Sequence, residues 1–362
     1  MDRWTPLEAN AWWDARPWVC GFNFLPSSAV NFLEMWHVDT FDKSTITREL
    51  GWAAELGFNA FRINLHYLVW LHDRDGLIDR LDWIMGVADQ LGISTVPCLF
   101  DDCGFGGAEP VYGPQPDPVP GVHNSRAVAS PGRALLLEKD EWSGFECYIR
   151  DIIAQFRDDP RVLFWDLYNE PGNRMVFDAS GFRIYEPDMT AASLALLRLS
   201  FEWARAETPT QPITVAAWTT PKPGSSDDPY QTEIDRIALE ASDIITFHAY
   251  WDTAHVARFI DHLRTLDRPM LCTEWMARAV GSLIEDQLGL FHGEKVGCFQ
   301  WGLVKGRTQT HHPWPAELVA AHGGHPDRSM WFHDILEHDG SAYDATEVAL
   351  LREVSAKSSA LI

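Results

Sequence analysis

Short runs of apolar, β-branched and aromatic residues recur along the chain, and each is followed by a segment whose apolar positions repeat at helical spacing. The runs are WVCGFNFL (18–25), NAFRINLHY (59–67), STVPCLF (94–100), VLFWDLYN (162–169), ITVAAW (213–218), IITFHAY (244–250), MLCTEW (270–275) and GCFQWGLV (297–304). Stretches such as ITRELGWAAEL, LIDRLDWIMGVADQL and FECYIRDIIAQF supply the helices between them. Leu56-Gly57 and Leu91-Gly92 place a glycine where a helix must stop, and Asp159-Pro160 is another terminator. Continuous apolar strands alternating with amphipathic helices predict a parallel sheet covered on its outer face. Eight such units predict an α/β fold, a closed (β/α)8 TIM barrel, forming a single domain over 1–362. No glycine-rich dinucleotide fingerprint follows the first strand, which disfavours an open, doubly wound sheet.

Two stretches interrupt the rhythm. Residues 101–141 are rich in Pro and Gly, and residues 305–332 carry His311, His312, Trp314 and Trp331. Both follow strand ends, so both are expected as long loops on the catalytic face. Neither a linker nor a repeat marks a further domain.

Composition narrows the class. The 362 residues are 12% aromatic and include 17 Trp, enough indole faces to build a core and still stack on sugar rings. The net charge of −23 repels phosphate backbones and anionic membranes, so neither nucleic acid nor membrane is expected as a partner. No run of 18 apolar residues occurs, and the first residues lack the pattern of a secretory signal, so a cytoplasmic location is expected. Cys20, Cys98, Cys272 and Cys298 fall in apolar strand-like runs without zinc spacing, which suits reduced, buried thiols.

In a barrel, reactive groups project from the carboxyl ends of the strands. Those positions hold Arg62, Asp101 and Asp102, Asn169-Glu170, His248 and Tyr250, Glu274, and Trp301. Glutamates on the fourth and seventh strands face each other across the mouth, as glycoside hydrolysis demands: one protonates the leaving oxygen while the other attacks the anomeric carbon or activates water. A covalent mechanism needs the two carboxyl groups about 5–5.5 Å apart. Salt-bridged structural glutamates are the competing explanation.

The motifs FRINLH (61–66), WDLYNEP (165–171), FHAY (247–250), LCTEW (271–275) and FQWG (299–302), in this order, resemble glycoside hydrolase family 5. The resemblance implies a retaining β-glycosidase without metal or cofactor, with Glu170 as acid/base and Glu274 as nucleophile. It further implies that Asn169 bonds the sugar 2-hydroxyl and that Arg62 keeps Glu274 ionised. Tyr250 would orient Glu274, His248 would sit near Glu170, Trp301 would floor the reacting ring, and Glu170 would stay protonated near neutral pH. Many family members carry a histidine where this chain reads FDDCGF, so Asp101 or Asp102 is expected either to contact the sugar or to cap the long loop. The stretch CGFNFLPSSAVNFLEMWHVDTFD (20–42) resembles a subgroup with β-mannosidase-like members, in which Trp36 would line the sugar site or pack the first loop. The expected substrate is an oligosaccharide carrying a terminal β-mannose, as in β-1,4-mannosyl-N-acetylglucosamine or manno-oligosaccharides, cleaved in exo fashion. An endo-β-1,4-glycanase acting on glucan, mannan or xylan is the alternative. Outside the class stand a metal-dependent barrel hydrolase and a non-catalytic carbohydrate-binding barrel, the first disfavoured because the histidines lack a shared ligand spacing.

Overall fold

The computed structural model describes residues 2–359. Eight strands follow one another: β1 (Cys20–Asn23), β2 (Ala60–Asn64), β3 (Ser94–Asp101), β4 (Trp165–Asn169), β5 (Ile213–Thr214), β6 (Ile245–His248), β7 (Met270–Trp275) and β8 (Gly297–Trp301). All neighbours pair in parallel, in the order β5-β4-β3-β2-β1-β8-β7-β6. One principal helix follows each strand, from Lys43–Glu55 after β1 to Ala345–Ser359 after β8, so the architecture is the expected (β/α)8 barrel.

The helices form where the apolar stripe predicts them. Ile46, Leu50 and Ala53 are buried on one face of Lys43–Glu55, and Phe145, Ile149, Ile152 and Phe156 on one face of Trp142–Phe156. Gly57 and Gly92 adopt φ of 89° and 72°, the left-handed turn that ends a helix without a Cβ clash.

The ring closes differently between β5 and β6. The run 213–218 was expected to be a full strand, yet only two residues pair regularly with β4. The Val215 N–H donates to Ser242 Oγ at 3.0 Å, and those of Trp218 and Thr219 donate to the Asp235 carboxylate at 2.9 and 3.2 Å. Side-chain oxygens have taken donors that a ladder would use. A single parallel bridge, Ala217 to Phe247, completes the closure.

The far mouth is plugged. Ala60, Val96, Phe164, Ile244, Leu271 and Phe299 meet Ala9 and Trp12 of an amino-terminal helix, Pro6–Asp14. At the opposite mouth, the expected long loops after β3 and β8 are joined by an unanticipated hairpin after β4, Met175–Asp178 against Gly181–Ile184. The four strand cysteines are buried and unpaired by disulfides. Among the described residues no helix is long and apolar enough to cross a membrane.

The plug has a separable role. Trp12→Ala should lower unfolding stability by about 3 kcal/mol, the scale of a truncated buried aromatic, while leaving kcat/KM unchanged. Denaturant titration alongside kinetics checks both halves.

Candidate active site

Arg62, on β2 and almost fully buried, organises the carboxyl-end mouth. Its Nε donates to Asp166 Oδ2 at 2.8 Å, Nη1 to Asn23 Oδ1 at 2.9 Å and to Glu274 Oε1 at 3.0 Å, and Nη2 to Asn169 Oδ1 at 2.7 Å. One planar fork thereby ties β2 to β1, β4 and β7. A buried guanidinium is tolerated only when its donors meet acceptors, and two of these are carboxylates.

Glu274 is held from both sides, since Tyr250 donates its hydroxyl to Oε2 at 2.8 Å. Glu170 stands one residue past β4 with φ of 42°, a left-handed conformation uncommon for a residue with a side chain and frequent at functional sites. Its Oε1 lies 2.8 Å from His248 Nδ1, while Oε2 accepts from Asn173 Nδ2 at 2.7 Å and from the Cys103 thiol at 3.1 Å. His248 Nδ1 is also 3.6 Å from Glu274 Oε2. One carboxylate oxygen each of Glu170 and Glu274 and a nitrogen of His248 all lie within 4.8 Å of one another.

These groups open into a cavity of about 270 Å³ whose wall includes Asn169, Trp218, Trp251, Trp301 and Trp314. The mouth therefore brings together Arg62, Asn169, Glu170, His248, Tyr250, Glu274 and Trp301, with Arg62 beneath the cavity floor. No lysine or arginine lines it among the described residues.

Two electrostatic expectations are corrected. Arg62 does favour the ionised form of Glu274, but burial outweighs it and, with the Glu170 charge, raises the Glu274 pKa. Burial would raise Glu170 as well; the hydrogen bond and charge of His248, helped by Cys103 and Asn173, outweigh burial and lower it. His248 moves the opposite way. Burial would lower it, yet the neighbouring Glu274 and Glu170 raise it. Glu170 and His248 therefore titrate as a pair that shares its proton across the 2.8 Å contact.

Three further positions separate. Asp101 reaches the cavity wall, but its carboxylate already accepts from Asn64 Nδ2, Asn169 Nδ2 and the Cys103 N–H at 2.8–2.9 Å. Burial pushes its pKa up to about 6. Asp102 points away from the cavity, contrary to a role in sugar contact. It accepts from Tyr168 Oη at 2.8 Å, Gly172 N at 2.6 Å and Ser193 Oγ at 2.7 Å, and so braces the turn that carries Glu170. Trp36 is not in the cavity wall either. It is fully buried, stacks on Phe41 and donates to the Asn64 carbonyl at 2.8 Å, because the loop after β1 folds it inward against the helices.

Sequence reasoning missed Asn23, Asp166, Cys103 and Asn173. Asp166 had a signal, a charged residue inside the apolar run VLFWDLYN; Cys103 and Asn173 sit in turns where spacing carries none. His311, His312 and Trp331 stay outside the cavity wall, although the His312 carbonyl accepts from His123 Nδ1 at 2.8 Å.

The three-dimensional arrangement has solved counterparts. A GH5_18 protein from Streptomyces cattleya, solved with GlcNAc and in a variant form with Manβ1-4GlcNAc, superposes with a TM-score of 0.61 at 16% identity, over 95% of this chain and 81% of its own. The exo-β-1,4-mannosidase Op5Man5 from Opitutaceae bacterium strain TAV5 gives 0.60 at 16%, over 94% of this chain and 60% of its own. The endo-1,4-β-D-mannanase of Thermotoga petrophila RKU-1 gives 0.55 at 14%, over 94% and 100%. Structural neighbours thus include members of glycoside hydrolase family 5, and at these identities the likeness establishes the barrel fold. No family model and no curated protein matches the sequence.

Arg62→Met should cost about 3–5 kcal/mol of stability, because it strands the fully buried Asp166 carboxylate. Arg62→Lys should recover only part of this, since a point charge cannot serve four acceptors spread around a plane. Chemical denaturation of both variants checks the order.

Proposed function

We propose that this protein is a retaining β-glycosidase in which Glu274 attacks the anomeric carbon and Glu170 protonates the departing oxygen. The observation that carries the reading is the pair of glutamates with oxygens within 4.8 Å of each other in a tryptophan-lined cavity. That spacing is nearer the roughly 5–5.5 Å between the carboxyl groups of retaining sites than the roughly 6.5–9.5 Å of inverting ones, which supports direct attack. Arg62 and Tyr250 aim the two oxygens of Glu274. In the second half-reaction Glu170, now a carboxylate, takes a proton from water that displaces the sugar from Glu274. Asn169 donates its amide hydrogens to Asp101 and, at 3.4 Å, to the Cys103 sulfur, and after accepting from Arg62 its Oδ1 keeps one lone pair, enough to accept from the sugar 2-hydroxyl.

The substrate we infer is a neutral oligosaccharide ending in β-mannose. The absence of lysine and arginine from the described cavity wall, beside three carboxylates, disfavours uronic acids. A cavity of about 270 Å³ sits at the small end of the roughly 300–1,000 Å³ usual for small-molecule sites, which favours removal of a terminal residue over binding along a polymer. Exo-mannosidase and Manβ1-4GlcNAc-bound structures among the neighbours support the same choice. An aryl β-mannoside should be cleaved in preference to the β-glucoside and β-xyloside. Preference for either of the latter defeats the mannoside reading, and a rapid fall in mannan viscosity would reassign the enzyme as endo-acting. Glu274→Gln should lose about 10³-fold or more in kcat.

A second reading follows from Glu170, His248 and Glu274, which are close enough to share a metal ion. Two contacts oppose it: His248 is already within hydrogen-bond distance of Glu170, and the Arg62 cation sits 3.0 Å from Glu274. Full activity after prolonged chelation is expected; loss restored by a divalent ion would favour the metal.

The shared proton sets the pH dependence. Turnover needs that proton on the Glu170–His248 pair and none on Glu274. Because His248 is raised, the pair keeps its proton above the ordinary imidazole range and activity falls as pH rises through the raised value. In His248→Gln, Glu170 must hold the proton alone, so the alkaline limb of the kcat/KM profile should move to lower pH. An unmoved limb would mean that the histidine does not share the proton.

A further inference from the structure

Two histidines, one from a loop and one from a strand-end segment, help to build the cavity wall, and neither has a part in the chemistry above. His123 comes from the loop after β3 and His333 from the segment after β8. Their rings are 5.3 Å apart, and both line the cavity. Each is pinned at Nδ1 by a backbone carbonyl: His123 donates to His312 O at 2.8 Å, and His333 to Met276 O at 2.5 Å. A carbonyl can only accept, so each ring carries its hydrogen on Nδ1 and keeps a lone pair on Nε2. Burial holds both in the neutral form, His123 down to about 4 and His333 well below the ordinary value.

Neither Nε2 meets a protein partner, and neither is among the sealed, unpartnered polar atoms of the described interior, so both open to the cavity. His333 is 6.5 Å from the Trp301 ring and 5.6 Å from that of Tyr250, whose hydroxyl bonds Glu274. His123 lies 6.0 Å from Phe177 of the hairpin and also borders the adjoining outer chamber. Two fixed acceptors select for groups that donate.

Building on the glycosidase reading, we propose that His123 and His333 are specificity-determining residues whose Nε2 lone pairs accept hydrogen bonds from hydroxyls of the bound sugar. The wall distinguishes a free hydroxyl from an O-alkyl, deoxy or fluoro group at the same carbon, because only the hydroxyl can donate. An acceptor left without its donor is the source of the discrimination.

The test pairs protein and sugar deletions. The wild type, His333→Leu, His123→Leu and the matching Gln variants are assayed on an aryl β-mannoside and on its singly deoxygenated and deoxyfluorinated analogues. Each Leu variant should lose about tenfold in kcat/KM on the parent sugar, the scale of one hydrogen bond. On one analogue, the sugar lacking the partner hydroxyl, wild type and Leu variant should converge. Gln, which also offers an acceptor, should recover part of the loss. Equal losses on every analogue, or none on the parent, overturn the proposal. The wild-type enzyme with the analogue series decides the point even if a variant folds poorly, because insensitivity to every deoxygenation also overturns it. Mannose binding, followed by tryptophan fluorescence, separates this inference from the reading beneath it. If no aryl glycoside is turned over, the glycosidase reading fails, and the histidine wall then stands or falls on whether the Leu variants weaken mannose binding.

Discussion

The buried guanidinium of Arg62 is the constraint on which the carboxyl-end mouth of the barrel depends. Its three nitrogens address acceptors on β1, β4 and β7, and the two carboxylates among them offset the charge it carries. Because the fork is planar, these acceptors must arrive in one plane and at one depth, which sets the height of Asn169 and Glu274 relative to one another. Glu170 is then defined from the other side. Asp102 clamps the turn after β4 through Gly172 and Ser193, and Glu170 takes up the left-handed backbone that this turn requires. The geometry of the mouth is a product of buried ionic and polar contacts below the cavity.

Above that layer the logic changes. The loops after β3 and β8 and the hairpin after β4 enclose the cavity with indoles, phenyl rings and neutral imidazoles. Strand ends supply the charged groups, whereas loops supply shape and aromatic surface. The strongly acidic exterior does not oppose a neutral sugar, and the lack of lysine and arginine in the described wall removes any attraction for an anionic one.

Most of the barrel was legible because burial on both faces of a parallel strand writes a continuous apolar run, and the eight runs carry it plainly. The fifth run misled in its length, since Ser242 and Asp235, distant in sequence, compete for its N–H groups. The hairpin after β4 had a pattern, MVFD and GFRI around Ala179-Ser180, overlooked because a barrel does not need it. At the site, the residues read correctly into the mouth are polar groups ending apolar strands. Asp101 and Asp102 were indistinguishable by type, although neighbours at a strand end point to opposite faces, so one of them had to turn away. Trp36 illustrates the limit: an indole serves a core and a sugar site equally well, and only the path of the loop after β1 decides between them.

The junction between β5 and β6 has a mechanical consequence. Seven neighbouring pairs in the sheet are joined by backbone ladders, while the eighth has one bridge, with Asp243 N to Ile213 O at 2.9 Å beside it, and borrowed side-chain oxygens. Amide protons at this junction should exchange with solvent sooner than those on the ladder-paired arc. Trp218, Thr219 and Thr220 of the cavity wall follow directly on it, so the wall there is held by side-chain contacts, Trp218 Nε1 to the Pro171 carbonyl at 3.2 Å and Trp251 Nε1 to Thr220 Oγ1 at 2.9 Å, in place of a strand ladder.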